Sequence, residues 1–137
     1  MDFTIDIASP VERVFALIAD LAKYHQWLPS SGLYGATTQV SDTPVMLGTT
    51  YVDGKQATLH GRVTEFRPPA AIAFHQEARL LLGRLSIDIR YRLEPRGAHT
   101  RVYRTTTPRL SGVLALRRPM SVRLIRNENL RMLAMMK

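Results

Sequence analysis

The 137-residue sequence predicts an α+β fold: about seven antiparallel strands packed against one long C-terminal helix. Three observations predict it. Residues 111–136 repeat apolar side chains at helical spacing. Residues 85–93 alternate apolar and polar side chains, as a half-buried strand does. The chain between 33 and 110 is broken at short intervals by turn residues. A long helix with one apolar face, set beside strands of matching length, must bury that face against them.

The first element is a strand over 2–8, with Phe3, Ile5 and Ile7 on one side and Asp2, Thr4 and Asp6 on the other. A helix start follows. Ser9 suits the cap, Pro10 the first helical position, and Glu12 the third position of a capping box. Val11, Val14, Phe15 and Ile18 supply one buried face. Asp20 restarts a second short helix through Leu21, Tyr24 and Trp27, which Pro29 and Gly32 end. Strands then run between turns at 41–44, 53–54, 67–70, 82–83 and 95–98, with Asp53-Gly54 the strongest hairpin signal. In 85–93, Leu85, Ile87, Ile89, Tyr91 and Leu93 face one way and Ser86, Asp88, Arg90 and Arg92 the other. The final helix, about 39 Å long, puts Leu114, Leu124, Ile125, Met132 and Met135 on one face and Arg123, Arg126 and Lys137 opposite, with a kink at Pro119.

The length fits one domain over 1–137, able to bury about 68% of its unfolded surface without staples. The absence of cysteine excludes thiol chemistry, cysteine-ligated zinc and disulfides, and fits a reducing compartment. The N-terminal stretch lacks an apolar run of signal-peptide length, and no segment reaches the roughly 18 apolar residues of a membrane span, so a cytoplasmic location is expected. The net charge is +8, almost all of it from arginine, because lysine occurs only at 23, 55 and 137. These arginines are scattered over strands and helix without a basic ladder or a recognised motif. They read as a solvated surface rather than a nucleic-acid site.

The element order and the stretch IDIASPVERVFALIADLAKYHQWLP resemble the START-like, helix-grip superfamily. That group includes the birch-pollen allergen, SRPBCC proteins, and polyketide cyclase/dehydrase and lipid-transport proteins. The matching pieces are Ser9-Pro10 after the first strand, Val14-Phe15, Asp20, Trp27 and Pro29. Further on come Gly48-Thr49, Val63-x-Glu65 with Pro68-Pro69, and the closing Asn129-Leu130-x-Met132-Leu133. The resemblance spans the whole chain. It implies a seven-stranded sheet wrapped around the C-terminal helix, two short helices after the first strand, and an apolar cavity between sheet and helix. It says little of activity, since one fold hosts carriers, sensors and cyclases.

Hairpin parity then assigns side chains to that cavity. Pairing Phe66 with Ala71 puts Leu59, Gly61 and Val63 on one face with Ile72 and Phe74. His60, Arg62, His75 and Glu77 gather on the other, where the demand for an apolar core sends them to solvent rather than to a metal. Pairing Leu93 with Val102 sets Tyr91 opposite Arg104 and Ile89 opposite Thr106, which turns Arg104 inward. A guanidinium on an apolar face calls for a partner, a wet cavity or an anionic ligand. Arg104 and Tyr91 orient a ligand's carboxylate or keto oxygen; otherwise Arg104 pairs with Glu128, or a slip puts Tyr103 inside instead. Glu128 falls within the helix's apolar face, either as a cavity acid with a burial-raised pKa or as a rim partner for an arginine. Trp27 either stacks on a ligand at the cavity mouth or fills core. Methionines 120, 132, 135 and 136 read as adaptable filler.

No Gly-x-Ser-x-Gly, His-Glu-x-x-His, phosphate loop or dinucleotide fingerprint occurs, and no metal or cofactor is expected. The expected ligand-binding residues are Trp27, Phe74, Tyr91, Arg104 and Glu128, and the leading function is binding or transport of a small hydrophobic, lipid-like or polyketide-like molecule. Two alternatives stand. One is a polyketide cyclase/aromatase, which needs little beyond a shaped pocket and one or two proton-transfer groups, here Arg104, Tyr91 and Glu128. The other is a lipid-transfer or interaction module that uses its basic charge at a membrane surface.

Overall fold

The computed structural model describes residues 1–21, 38–53, 59–80 and 83–112, together with Leu130 and Ala134. Among them, strand β1 (Asp2–Ile7) leads into helix α1 (Val11–Ala19), and strands β2 (Thr50–Asp53), β3 (Leu59–Arg67), β4 (Ala71–Leu80), β5 (Gly83–Arg96) and β6 (His99–Gly112) follow. The strands form one antiparallel sheet in the order β1-β6-β5-β4-β3-β2. Thr38 adds a single antiparallel bridge to Val52 on the far side of β2. The described strands number six against the seven expected. The second short helix falls at 20–29, of which only Asp20 and Leu21 are described, and most of the C-terminal helix lies outside the described residues too. Leu130 and Ala134 are helical and exposed; at 100° per residue both fall on the Arg123 and Lys137 side predicted to face solvent.

The long hairpin of β5 and β6 carries the predicted register. Leu93 pairs with Val102, Tyr91 with Arg104 and Ile89 with Thr106. The turn at 96–99 is tight because Gly97 takes a positive φ of 64°, which a side chain would resist. Strand β6 runs on to Gly112, so the helix does not begin at Ser111 as its sequence pattern suggested. Paired with β5 along its whole length, the stretch through Ser111 and Gly112 gains ladder hydrogen bonds that outweigh its helical spacing.

Helix α1 buries Val14, Phe15 and Ile18 against β5 and β6. That is a gain of about 2 kcal/mol per side chain. The capping box is not formed. Pro10 is the N-cap, with extended ψ of 152° and no side-chain cap. Ser9 is instead tied to the sheet, its N–H donating to Ile7 O and its carbonyl accepting from Thr100 Oγ1 at 2.8 Å.

Hairpin β3–β4 holds one departure from simple alternation. His60 to Val63 pair with β4 in the expected register, Val63 opposite Phe74, but a bulge between Val63 and Glu65 shifts the rest so that Phe66 faces Ile72 rather than Ala71. Unbroken alternation would bury the Glu65 carboxylate and expose the Phe66 ring. The extra residue reverses both. Phe66 packs edge-on against Phe15 of α1 at 5.7 Å, and Glu65 reaches Arg90 Nε at 2.8 Å and Arg67 Nη2 at 2.9 Å outside.

The outer face gathers the charges. Asp6 pairs with Arg101, Glu94 with Arg92 and Arg96, and Tyr103 Oη donates to Glu94 while Arg92 lies 4.1 Å over the Tyr103 ring. Tyr103 therefore faces out and Arg104 in. His75 sits between Glu77 (2.9 Å) and Asp88 (2.6 Å). These two hydrogen bonds, Glu77 first, raise its pKa above the ordinary 6.5.

Two outcomes follow. Deleting Thr64 removes the extra residue and makes Glu65 the direct neighbour of Val63, so regular alternation keeps Glu65 outward and Phe66 inward, and unfolding free energy in urea titrations is expected to change by less than about 1 kcal/mol; a loss of several kcal/mol would refute this account of the bulge. The raised His75 pKa stabilises the fold fully below pH 6.5, and that contribution is lost as pH rises through the folded-state value. The wild-type denaturation midpoint is thus expected to fall from pH 6 to pH 8, and His75→Gln to flatten that fall.

Candidate functional site

The inner face of the sheet is aliphatic over most of its area. Leu59, Val63, Ile72, Ala78, Leu85, Ile87, Ile89, Leu93 and Val102 are all buried there. Set among them are polar groups that the same strict alternation turns inward: Arg104 and Thr106 on β6, Tyr91 on β5, Gln76 on β4 and Tyr51 on β2. Arg104 has no exposed surface and Tyr91 retains 1%.

These groups form two hydrogen-bonded pairs. Arg104 Nη1 donates to Tyr91 Oη at 2.7 Å, Nε contacts Thr106 Oγ1 at 3.4 Å, and the guanidinium carbon lies 5.1 Å from the Tyr91 ring centre. Gln76 Nε2 donates to Tyr51 Oη at 2.8 Å. Phe74 stands between the pairs, its ring edge-to-face with Tyr51 at 6.0 Å and with Tyr91 at 6.3 Å. Such perpendicular packing matches ring edge to ring face and fixes all three rings. Burial raises the Tyr91 pKa, and the adjacent Arg104 charge only partly opposes it. Tyr91 is therefore a neutral phenol at physiological pH. Because its oxygen accepts from Arg104, its own proton is left to donate.

Gly61 explains the position of Tyr51. The two residues are direct partners across β2 and β3, and a Cβ on Gly61 would overlap the Tyr51 ring. The missing side chain lets the ring lie flat on the β3 backbone and point its hydroxyl at Gln76.

Of the residues expected to bind ligand, Phe74, Tyr91 and Arg104 come together here. Trp27 and Glu128 lie outside the described residues. Sequence reasoning missed Gln76 and Tyr51. Gln76 was legible, since it alternates with Phe74 and Ala78 between the outward His75 and Glu77. His60, Arg62, His75 and Glu77 lie on the outer side as the parity required, along a polar groove of about 490 Å³. A second, apolar cleft of about 370 Å³ lies between α1 and the loop around Pro44, lined by Phe15, Val40, Val45 and Phe66. No helix among the described residues is long and apolar enough to cross a membrane.

Gly61→Ala is expected to cost about 1–3 kcal/mol through overpacking against Tyr51. The loss should shrink when Tyr51 is also cut to Leu, as a double-mutant cycle of urea midpoints will register. Equal costs in both backgrounds would break the assignment.

Comparison with known proteins agrees with this architecture. No curated protein matches the sequence. Among solved structures, a protein from Thermus thermophilus shares 20% identity at a TM-score of 0.75, covering 99% of this chain and 92% of that one. A protein from Rhizobium loti shares 21% at 0.63, covering 99% and 93%. DynU16, a protein in the dynemicin biosynthetic locus, shares 14% at 0.57, covering 78% of this chain and 36% of its own. At such identities the likeness is one of fold. The family model described as polyketide cyclase/dehydrase and lipid transport matches residues 1–135. By that match, over nearly its full length, the chain belongs to the polyketide cyclase/dehydrase and lipid transport family.

Proposed function

We propose that the protein binds a small, mostly apolar molecule against the inner face of its sheet and holds one carboxylate or keto oxygen of it at Arg104 and Tyr91. One observation carries this reading: a guanidinium and a phenol, both fully withdrawn from solvent and hydrogen-bonded to each other at 2.7 Å, within an otherwise aliphatic surface. Convergent polar groups on an apolar wall are the general character of small-molecule sites. Arg104 supplies charge and Tyr91 a directed proton. Family membership and the fold shared with DynU16 support a polyketide-like or lipid-like ligand.

In this reading residues 1–137 form one helix-grip domain. The stretch after Gly112 supplies the long helix across the inner face, a seventh strand ends at the Thr38 bridge, and Trp27 and Glu128 complete the ligand's surroundings. The cysteine-free composition supports a cytoplasmic location.

A second reading has its own observation. Aldol-type ring closure of a poly-β-ketone needs a donor at the oxygen that gains charge as a proton leaves carbon. A neutral phenol polarised by an arginine is such a donor. Among the described residues the inner face carries no carboxylate or imidazole, so in a cyclase the base falls to Glu128.

The two readings are tested together. Decanoate and 2-naphthoate are titrated calorimetrically against the wild type, with Trp27, the single tryptophan, as fluorescent reporter. Arg104→Met is expected to weaken both by at least about tenfold while sparing decanol, and Tyr91→Phe to weaken them less. Acid binding unchanged in both variants would remove the site. Ring closure of a poly-β-keto thioester that falls about 100-fold in Tyr91→Phe and in Glu128→Gln would favour the enzyme.

A further inference from the structure

We propose that Gln76 is a second recognition point on the inner face, selecting ligands that carry a hydroxyl at the end remote from their acidic or keto group. The inference rests on the preceding reading, in which that group docks at Arg104 and Tyr91.

Gln76 is only 3% exposed. Its Nε2 donates to Tyr51 Oη, but its Oε1, also buried, has no hydrogen-bond partner among the described residues. A buried acceptor left unmet is costly, and native proteins seldom keep one without a use. Support of Tyr51 does not account for it. The Tyr51 ring is already seated by the space at Gly61 and by the edge-to-face contact with Phe74. An apolar side chain of equal volume would fill the position at no such cost.

The location gives the oxygen a purpose. Gln76 lies on the same inward face of β4 as Phe74, and the Phe74 ring separates it and Tyr51 from the Arg104–Tyr91 pair. A ligand anchored at Arg104 and lying over Phe74 would bring its far end to Gln76. The chemistry chooses the group it would carry there. An amide's oxygen and nitrogen are assigned from their surroundings, and a tyrosine hydroxyl serves either orientation. A ligand hydroxyl both donates and accepts, so it meets the inward end of the amide whichever atom that is. An ammonium or a carbonyl meets only one. Sites built around a substrate hydroxyl reject the analogue that lacks it far better than apolar pockets reject an added group.

Two matched pairs of probes test this: 10-hydroxydecanoate against decanoate, and 6-hydroxy-2-naphthoate against 2-naphthoate, each titrated calorimetrically. The wild type is expected to bind the hydroxylated member of at least one pair about tenfold tighter. Gln76→Met should abolish that preference and leave the affinity for the plain acid intact. Equal affinities within both pairs in the wild type, which need no variant to observe, would overturn the proposal while leaving the Arg104–Tyr91 site standing. A preference that survives Gln76→Met, or Gln76→Leu should the first variant fold poorly, would overturn it too. Binding of none of the four would remove both readings.

Discussion

The hydrogen bond between Arg104 and Tyr91 sets the terms for the rest of the molecule. A guanidinium withdrawn from water is tolerable only where its surroundings are fixed closely enough to hold it in contact with its acceptors. The fixing is done by the long β5–β6 hairpin, whose two strands pair without interruption from Gly83 opposite Gly112 to Arg96 opposite His99. A slip of one residue would carry Arg104 to solvent and Tyr103 into the core. The positive φ of Gly97 at the turn, the buried Val102 opposite Leu93, and the outward anchoring of Tyr103 to Glu94 and Arg92 all oppose that slip. The fold thus defends one orientation of one side chain from both of its faces.

This hairpin was legible in the sequence because each of its signals is local. A turn at 95–98 and an unbroken period of two favour the register that turns Arg104 inward, and the observed pairing of Tyr91 with Arg104 sets aside the alternative slip that would have put Tyr103 inside. The β3–β4 hairpin was only half legible. Its outer residues pair as parity requires, but the bulge before Glu65 is specified by tertiary demands: a carboxylate that must reach Arg90 and Arg67, and a ring that must meet Phe15. Nothing in the spacing of Val63, Thr64 and Glu65 announces it. The failed capping box has a similar cause. Ser9 was read as serving the helix that follows it, whereas its backbone is held by the strand end it leaves, through Ile7 and Thr100. Gln76 was a different kind of omission. It obeys the alternation, lying inward between the outward His75 and Glu77.

The two faces of the sheet divide the protein's chemistry. A net charge of +8 raises the question of an anionic partner, yet on the outer face Arg67, Arg90, Arg92, Arg96 and Arg101 each meet a carboxylate. Exposed pairs of this kind contribute little individually to stability. Their effect is on the strands. They cover the wet side with mutually satisfied side chains, and the row Asp6, Arg101, Glu94 follows strand register across β1, β6 and β5. Both the pairs on the outer face and the buried polar groups on the inner one are consequences of a single alternation read from opposite sides.

What the inner face can do is limited by which protons it can move. Tyr91 keeps its proton because burial outweighs the nearby positive charge, and the Arg104 guanidinium offers only N–H donors. Both are donors. A surface of donors recognises oxygen and stabilises charge that appears on it, but it cannot take a proton from carbon. The proposed recognition needs only the described strands, whereas ring closure requires a base from elsewhere; the sequence pattern offers Glu128 for that part, and it lies outside the described residues. A carrier and a cyclase built on this sheet would differ in whether a base reaches Tyr91, and hardly at all in the sheet itself. One fold of this kind can host binding or catalysis without rebuilding its inner face.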